Sequence, residues 1–131
     1  YKRAIITPEK LTVELDDEKK VITISTPREN SIVISDDAKG IRVKDQNGNE
    51  CMMDDKGIKL TSAKDIVLSA KGNIQLDAKG KVAVKATQDG SIEGMNVTAK
   101  AQVSLKATGS ASAELSASGQ TTVKGAMVMI N

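Results

Sequence analysis

The chain has 131 residues, a formal net charge of +2 and no histidine, and aromatic side chains make up 1% of it. This composition excludes the bulky aromatic core of an ordinary globular domain, and the balanced charge argues against nucleic acid as a partner. The lack of histidine removes the Ser-His and Cys-His pairs of nucleophilic catalysis and the commonest metal ligand. We therefore expect a thin interior filled with Ile, Leu, Val and Ala.

Residues 1–56 are predicted to form an antiparallel β-meander. Residues 1–10, with Ile5, Ile6 and Pro8, are expected to be a lead-in segment. Alternation of apolar and polar residues then predicts strands at residues 11–15, 21–26, 32–34, 41–43 and 51–53. These strands recur every nine to eleven residues with polar turns between them, and Asn47-Gly48 predicts a two-residue hairpin turn.

Three aspartate doublets carry much of the acidic charge of this part. They are Asp16-Asp17, Asp36-Asp37 and Asp54-Asp55, and all three lie in predicted turns. Aspartate favours turns because its side chain hydrogen-bonds the nearby backbone, whereas adjacent carboxylates on a loop are not by themselves an acid–base pair. A weak calcium site is the alternative interpretation, but the spacing of a calcium loop is missing. We expect no catalysis, no cofactor and no metal site.

Residues 57–131 are predicted to form a second domain, in which one short pattern returns every eight residues. Each unit has two apolar positions separated by one residue, then a small residue and a turn. The first position holds Ile58, Ile66, Ile74 and Val82, the second holds Leu60, Leu68, Leu76 and Val84, and the small one holds Ala70, Ala78 and Ala86. Gly72, Gly80 and Gly90 are expected at the corners. A return of eight matches neither a heptad nor a helix, and it predicts stacked short strands.

The eight-residue pattern slips by one residue after Gly94. Up to Gly94 the apolar positions are even-numbered, and from Val97 they are odd-numbered, so residues 94–96 are predicted to contain an irregularity. Beyond it most side chains are small, namely Ala, Gly, Ser or Thr. Because the alternation persists, we interpret this part as a narrow, tightly packed shaft rather than a linker.

Two architectures could bury the apolar positions: a single-chain solenoid with three units per coil, or three identical chains wound together. A solenoid would tend to show a super-period of three units, and none is visible, so three chains are favoured. The predicted fold is all-β, an intertwined homotrimeric triple-stranded β-helix (a β-prism rod) preceded by the meander. The predicted trimer core comprises Ile58, Leu60, Ile66, Leu68, Ile74, Leu76, Val82, Val84, Ile92, Val97, Leu105, Leu115 and Val123.

The last six residues are mainly apolar. They are Ala126, Met127, Val128, Met129, Ile130 and Asn131. Three copies would make a small, flat hydrophobic end face with unpaired strand edges, which is either a docking surface or an aggregation hazard. We predict that these residues, called the tip below, bind a partner. Cys51 is the sole cysteine, so an intrachain disulfide is excluded, and Met52-Met53 is interpreted as interior packing.

Several stretches resemble the C-terminal spike of VgrG proteins. They are residues 40–49 and 54–60, the units at 65–72 and 73–80, and the closing residues 122–130. The likeness covers nearly the whole chain and depends on the order of meander, eight-residue units and apolar end. It implies a homotrimeric structural spike that punctures the target envelope for a contractile injection system, either type VI secretion or a phage-tail-like machine, without enzymatic activity.

The resemblance also implies partners and a location. The tip would dock a PAAR-repeat cap or an effector, and hub and tube proteins would join through a missing part expected to precede Tyr1. The spike would assemble in the bacterial cytoplasm, be ejected into the target envelope or the extracellular space, and touch the target membrane only transiently. The alternative is a trimeric tail-fibre or adhesin stalk that binds a cell-surface ligand. Glycan sites usually present aromatic platforms, and one tyrosine argues against that alternative.

Overall fold

The computed structural model describes residues 2–131, and over these residues the chain is all-β, as predicted. The strands are β1 (Lys2–Ile6), β2 (Thr12–Asp16), β3 (Val21–Ser25), β4 (Ser31–Ser35), β5 (Gly40–Lys44), β6 (Glu50–Asp54) and β7 (Gly57–Thr61). Within the described residues no helix has the length and apolar character to cross a lipid bilayer.

The strands form one antiparallel sheet in chain order, β1 to β7. This confirms the predicted meander and the five strands assigned to its sequence. The expected lead-in segment is wrong, because Lys2–Ile6 forms β1 and pairs along its length with β2. Its sequence alternates poorly, so pairing with β2 specifies it more than its own pattern does. At the other edge β7, which opens the eight-residue units, pairs with β6.

Three-residue loops join β1 to β2, β3 to β4 and β5 to β6, all at the same end of the strands. Lys10, Glu29 and Gly48 take the positive-φ position of these loops, with φ of 65°, 68° and 91°. The Asn47-Gly48 turn is therefore not the two-residue type, which requires positive φ at both residues. The backbone N–H of Asp45 donates to the carbonyl of Asn49 at 3.1 Å, which leaves residues 46–48 as the loop.

At the opposite end of the strands, side chains of the last strand residues accept hydrogen bonds from the turns that follow them. The Asp16 carboxylate accepts from the N–H of Lys19 at 3.0 Å, and the Asp54 carboxylate accepts from that of Lys56 at 2.8 Å. Between them in the sequence, the Ser35 hydroxyl accepts from Ala38 N–H at 2.9 Å. The hydrogen bond from the Lys19 N–H is the main reason why the pKa of Asp16 lies below its usual value. The interpretation of all three doublets as turn residues is confirmed: Asp36 and Asp37 both lie in a turn, and Asp16 and Asp54 end strands that lead directly into one.

After β7 the backbone bends at regular intervals. The bends of the described chain lie at residues 63–64, 71–72, 79–80, 87–88, 95–96, 102–103, 110–111, 118–119 and 126–127. Successive bends are eight residues apart, except for one step of seven between residues 95–96 and 102–103. The predicted irregularity at residues 94–96 therefore corresponds to a repeat that is one residue shorter than the others and begins at this bend. Gly72 and Gly80 lie at bends as predicted, but Gly90 does not: it follows a bend by two residues.

The chain has almost no interior of its own. Of residues 2–131 only Ser35 is buried, with 7% of its surface exposed, and no apolar side chain among them is buried. Contacts divide the chain into a first unit ending at Leu76 and a second unit, Asp77–Asn131. The predicted domain boundary between residues 56 and 57 follows the sequence pattern and stays a prediction.

Candidate interaction surfaces

The sheet has one apolar face. Residues paired directly across an antiparallel sheet share a face, so the register defines two apolar rows. One row is Ile5, Val13, Ile24, Ile32, Val43, Cys51 and Leu60, and the other is Leu15, Ile22, Ile34, Ile41, Met53 and Ile58. None of these side chains is buried within the described chain. An apolar sheet face requires another layer to cover it, so this face is a candidate interface.

The opposite face is largely polar and carries ion pairs. Lys2 Nζ lies 3.5 Å from Glu14 Oε1, and Arg42 Nη2 lies 3.0 Å from Glu50 Oε2. Such exposed pairs contribute at most about 1 kcal/mol each, but they indicate which face meets water. Met52 lies directly across from Arg42 and therefore on this face. Its neighbour Met53 lies on the apolar face, because successive residues of a strand point to opposite sides. Met52 and Met53 are both half-buried in the single chain, and the interpretation that both pack inside stays a prediction.

A network of side-chain hydrogen bonds connects two of the three-residue loops. The Asp45 carboxylate accepts from the backbone N–H groups of Asn47 and Asn49, at 2.8 and 2.9 Å, and from the Asn49 amide Nδ2 at 2.7 Å. The hydrogen bonds from Asn49, its side chain first, lower the pKa of Asp45 to about 2. Next to it, Asn30 Oδ1 accepts from Gln46 N–H at 2.9 Å, and Asn30 Nδ2 donates to Gln46 Oε1 at 3.0 Å.

The same network reaches the first bend after the sheet. Asn49 Oδ1 accepts from the Ser62 hydroxyl at 3.2 Å and from the Ala63 N–H at 3.0 Å. The single Ser62 hydroxyl hydrogen is shared with the Asp65 carbonyl, 2.9 Å from the hydroxyl oxygen, and that oxygen accepts from the Lys64 N–H at 3.2 Å. Asn49 therefore positions the corner at which the eight-residue units leave the sheet.

Residues 62–131, all of them described, make no backbone–backbone hydrogen bond within the chain. The predicted core residues beyond β7 lie between the bends, and all of them are exposed in the single chain. Ile58 and Leu60 lie on β7 beside Met53 and Cys51, on the apolar face. Unpaired backbone groups need partners when they leave water, so this part of the chain presents both unpaired peptide groups and uncovered apolar side chains.

The tip differs from most of the units before it. The residue directly after a bend is polar after seven of the eight earlier bends: Asp65, Asn73, Lys81, Asp89, Ser104, Ser112 and Gln120. The exception is Val97, after the bend that begins the seven-residue step. After the last bend the same position is Val128, and Ile130 follows two residues later. Met127, Val128, Met129 and Ile130 are all exposed. The tip therefore has apolar residues at positions that are mostly polar in the earlier units.

The family described as the phage baseplate V C-terminal trimerisation domain matches residues 21–88, which is more than half of the chain. The chain belongs to this family. The resemblance to VgrG and phage spikes is thereby confirmed, and the chain has a structural role of the phage-tail and VgrG type. A comparison with curated proteins finds no match.

The match to the trimerisation domain begins at Val21, the first residue of β3, and ends at residue 88, the second residue of a bend. It thus includes most of the apolar sheet face, the Asn49 network and the first regular units. The tip lies outside the matched residues, so its role depends on its own chemistry.

The chain has a row of small residues before its bends that the sequence pattern revealed only in part. The residue directly before each bend is Ser62, Ala70, Ala78, Ala86, Gly94, Ala101, Gly109, Ala117 or Gly125. At Gly109 an added Cβ would overlap the carbonyl oxygen of Ser112, and at Gly125 it would lie 3.1 Å from that of Met127. Crowding at the bend selects small residues there. The sequence signal was available, because the one-residue shift after Gly94 applies to this row too.

Proposed function

We propose that the chain is the spike of a contractile injection system, in which three copies form an intertwined triple-stranded β-helix. One observation carries the proposal: residues 62–131 have no backbone hydrogen bond within the chain, yet they bend at regular intervals. Strands of two further copies would supply the missing hydrogen bonds and would cover the apolar positions. Membership of a trimerisation-domain family supports three copies rather than another number.

The proposed mechanical role follows from this arrangement. A rod that pierces an envelope must resist bending and unfolding under axial load. In this arrangement each strand is hydrogen-bonded to strands of the other chains, and the apolar rows of all three chains are buried together. A segment of one chain cannot unfold alone, because its unfolding would break these hydrogen bonds and expose apolar side chains of all three chains to water. The spike would be assembled in the bacterial cytoplasm and ejected through the target envelope by a type VI or phage-tail-like machine.

The tip is proposed to dock a separate PAAR-repeat cap or an effector. Its apolar residues after the last bend support this assignment, since seven of the eight earlier bends are followed directly by a polar residue, Val97 being the exception. Three copies would repeat Val128 and Ile130 around the end of the rod. An apolar patch of that kind marks a binding surface in a soluble assembly.

Mass measurement by light scattering tests the proposal directly. A stable species of three times the 13.8 kDa chain mass is expected, with circular dichroism typical of β-structure. A folded monomer would contradict the trimer and with it the spike.

A further inference from the structure

Gly90 occupies a position that is apolar in the preceding units. It lies two residues after the bend at 87–88, as Ile66, Ile74 and Val82 lie after theirs. Neither conformation nor crowding within the chain requires glycine there, because its φ is not positive and an added Cβ would meet no atom within 4 Å. Three copies of Gly90 in one layer would leave a gap among the apolar side chains, and gaps of that kind are costly.

The same unit carries an unmatched apolar side chain at its corner. The first residues of the nine bends in the described chain are Ala63, Lys71, Lys79, Thr87, Met95, Gln102, Ser110, Ser118 and Ala126. Met95 is the single large apolar residue among them, and it is 99% exposed. Gly94 before it allows a tight bend, since an added Cβ would lie 3.3 Å from the carbonyl oxygen of Asn96. Met95 therefore has no packing partner within its own chain.

We propose that Met95 of one copy fills the space left by Gly90 of a neighbouring copy. This inference rests on the proposed trimer and adds a specific contact between its chains. The Met95 side chain is unbranched and flexible, so it can follow an irregular gap. Met95 does not fill the space at Gly90 of the same chain, because no atom lies within 4 Å of a Cβ added at Gly90 and Met95 is exposed in the single chain. The seven-residue step begins at the Met95 bend, so the interlocked layer lies where the register of the shaft changes.

A double-mutant cycle on the full chain tests the contact. The variants are Gly90→Val, Met95→Ala and the two combined, and thermal melting is measured with the mass of each species. Each single change should lower the melting temperature, since valine crowds the methionine and alanine empties the gap. The double variant should melt at least about 5 °C higher than Gly90→Val alone, because valine then occupies the vacated space. If Gly90→Val fails to assemble, assembly of the double variant is the expected rescue.

Val103 supplies the matched control, because it is 98% exposed and lies at the next bend. Val103→Ala should give no rescue of Gly90→Val. Additive effects of Gly90→Val and Met95→Ala, failure of the double variant to assemble, or a higher melting temperature for Gly90→Val alone would overturn the proposed contact. In those cases a trimeric mass for the unaltered chain leaves the proposed function standing. A monomeric mass for the unaltered chain would overturn both.

Discussion

The side chain of Asn49 accepts a hydrogen bond from the backbone N–H of Ala63, with 3.0 Å between Oδ1 and N. Asn49 lies between the loop of residues 46–48 and the first residue of β6, and Ala63 begins the first bend after β7. The contact thus holds the first bend, residues 63–64, against the turn that precedes β6. The other end of the Asn49 amide donates to Asp45 at 2.7 Å, so one residue holds the loop and the bend together.

Asn49→Ala should loosen the first bend and lower stability by about 1–3 kcal/mol, because it leaves hydrogen-bonding partners unsatisfied. Hydrogen exchange at the Ala63 amide should become faster in the assembled protein. Asn47→Ala is the matched control: its amide also donates to Asp45, at 3.2 Å, but it makes no hydrogen bond to the bend. Unchanged exchange at Ala63 in Asn49→Ala would contradict the positioning role.

The Asp45 network should make stability depend on pH in the acidic range. The pKa of Asp45 is lowered from 3.8 to about 2 in the folded chain by hydrogen bonds from Asn49. A lowered pKa contributes stability that is present above the unfolded value and is lost as the pH falls through the folded value. Unfolding midpoints should therefore decline between about pH 4 and pH 2, and less steeply in Asp45→Asn. Parallel curves for the two proteins would count against this assignment.

Much of the sheet could be predicted from the sequence, and the failures have local causes. The alternation around Val13, Ile22 and Ile32 specified strands because period two is the direct signature of a two-sided sheet. β1 was missed because Lys2–Ile6 alternates poorly and pairs with β2. The width of the loop at Asn47 could not be inferred from the Asn-Gly pair alone, because Asp45 captures two backbone N–H groups and stabilises a three-residue loop.

The eight-residue units could be predicted in phase but not in all of their details. The return of Ile and Leu every eight residues identified the bends, and the slip after Gly94 was visible as a change from even to odd positions. Gly90 was misassigned to a corner, since glycine is usually read as a turn residue. What covers the apolar positions lies in other chains, so neither the pattern nor the single chain contains that information.

Gly40→Ala should destabilise the sheet by about 1–3 kcal/mol, which is typical of overpacking. A Cβ on Gly40 would overlap the backbone carbonyl oxygen of Met53 on the neighbouring strand β6, and a backbone group cannot move aside as a flexible side chain can. Denaturant midpoints measure the change. Ser31→Ala, on β4 of the same sheet, should stay within about 0.5 kcal/mol of the original protein. Equal midpoints for the two variants would show that β5 and β6 can separate at no cost.

Leu68→Asp should abolish assembly, whereas Val67→Asp should leave a trimer. Leu68 is a predicted core residue, and in the proposed trimer three uncompensated carboxylates would meet in a narrow apolar interior. Val67 is the adjacent residue and is 84% exposed in the single chain, on the side that would meet water. Light scattering after gel filtration distinguishes the outcomes. A normal trimer of Leu68→Asp would contradict the assignment of the inward row.

Replacing Val128 and Ile130 together by serine should weaken binding of a PAAR-repeat protein while leaving the rod intact. Each lost apolar side chain removes on the order of 1 kcal/mol of contact free energy, and three copies repeat the loss, so affinity should fall by roughly tenfold or more. Biolayer interferometry measures the affinity, and light scattering checks the trimer.

Val67→Ser is the matched control, since it removes an exposed valine far from the tip in the sequence. Truncation after Gly125 should abolish the same binding and keep the trimeric mass, because residues 126–131 follow the last predicted core residue, Val123. Full binding by the truncated rod would place the docking surface elsewhere, since no tip residue would then remain to carry it.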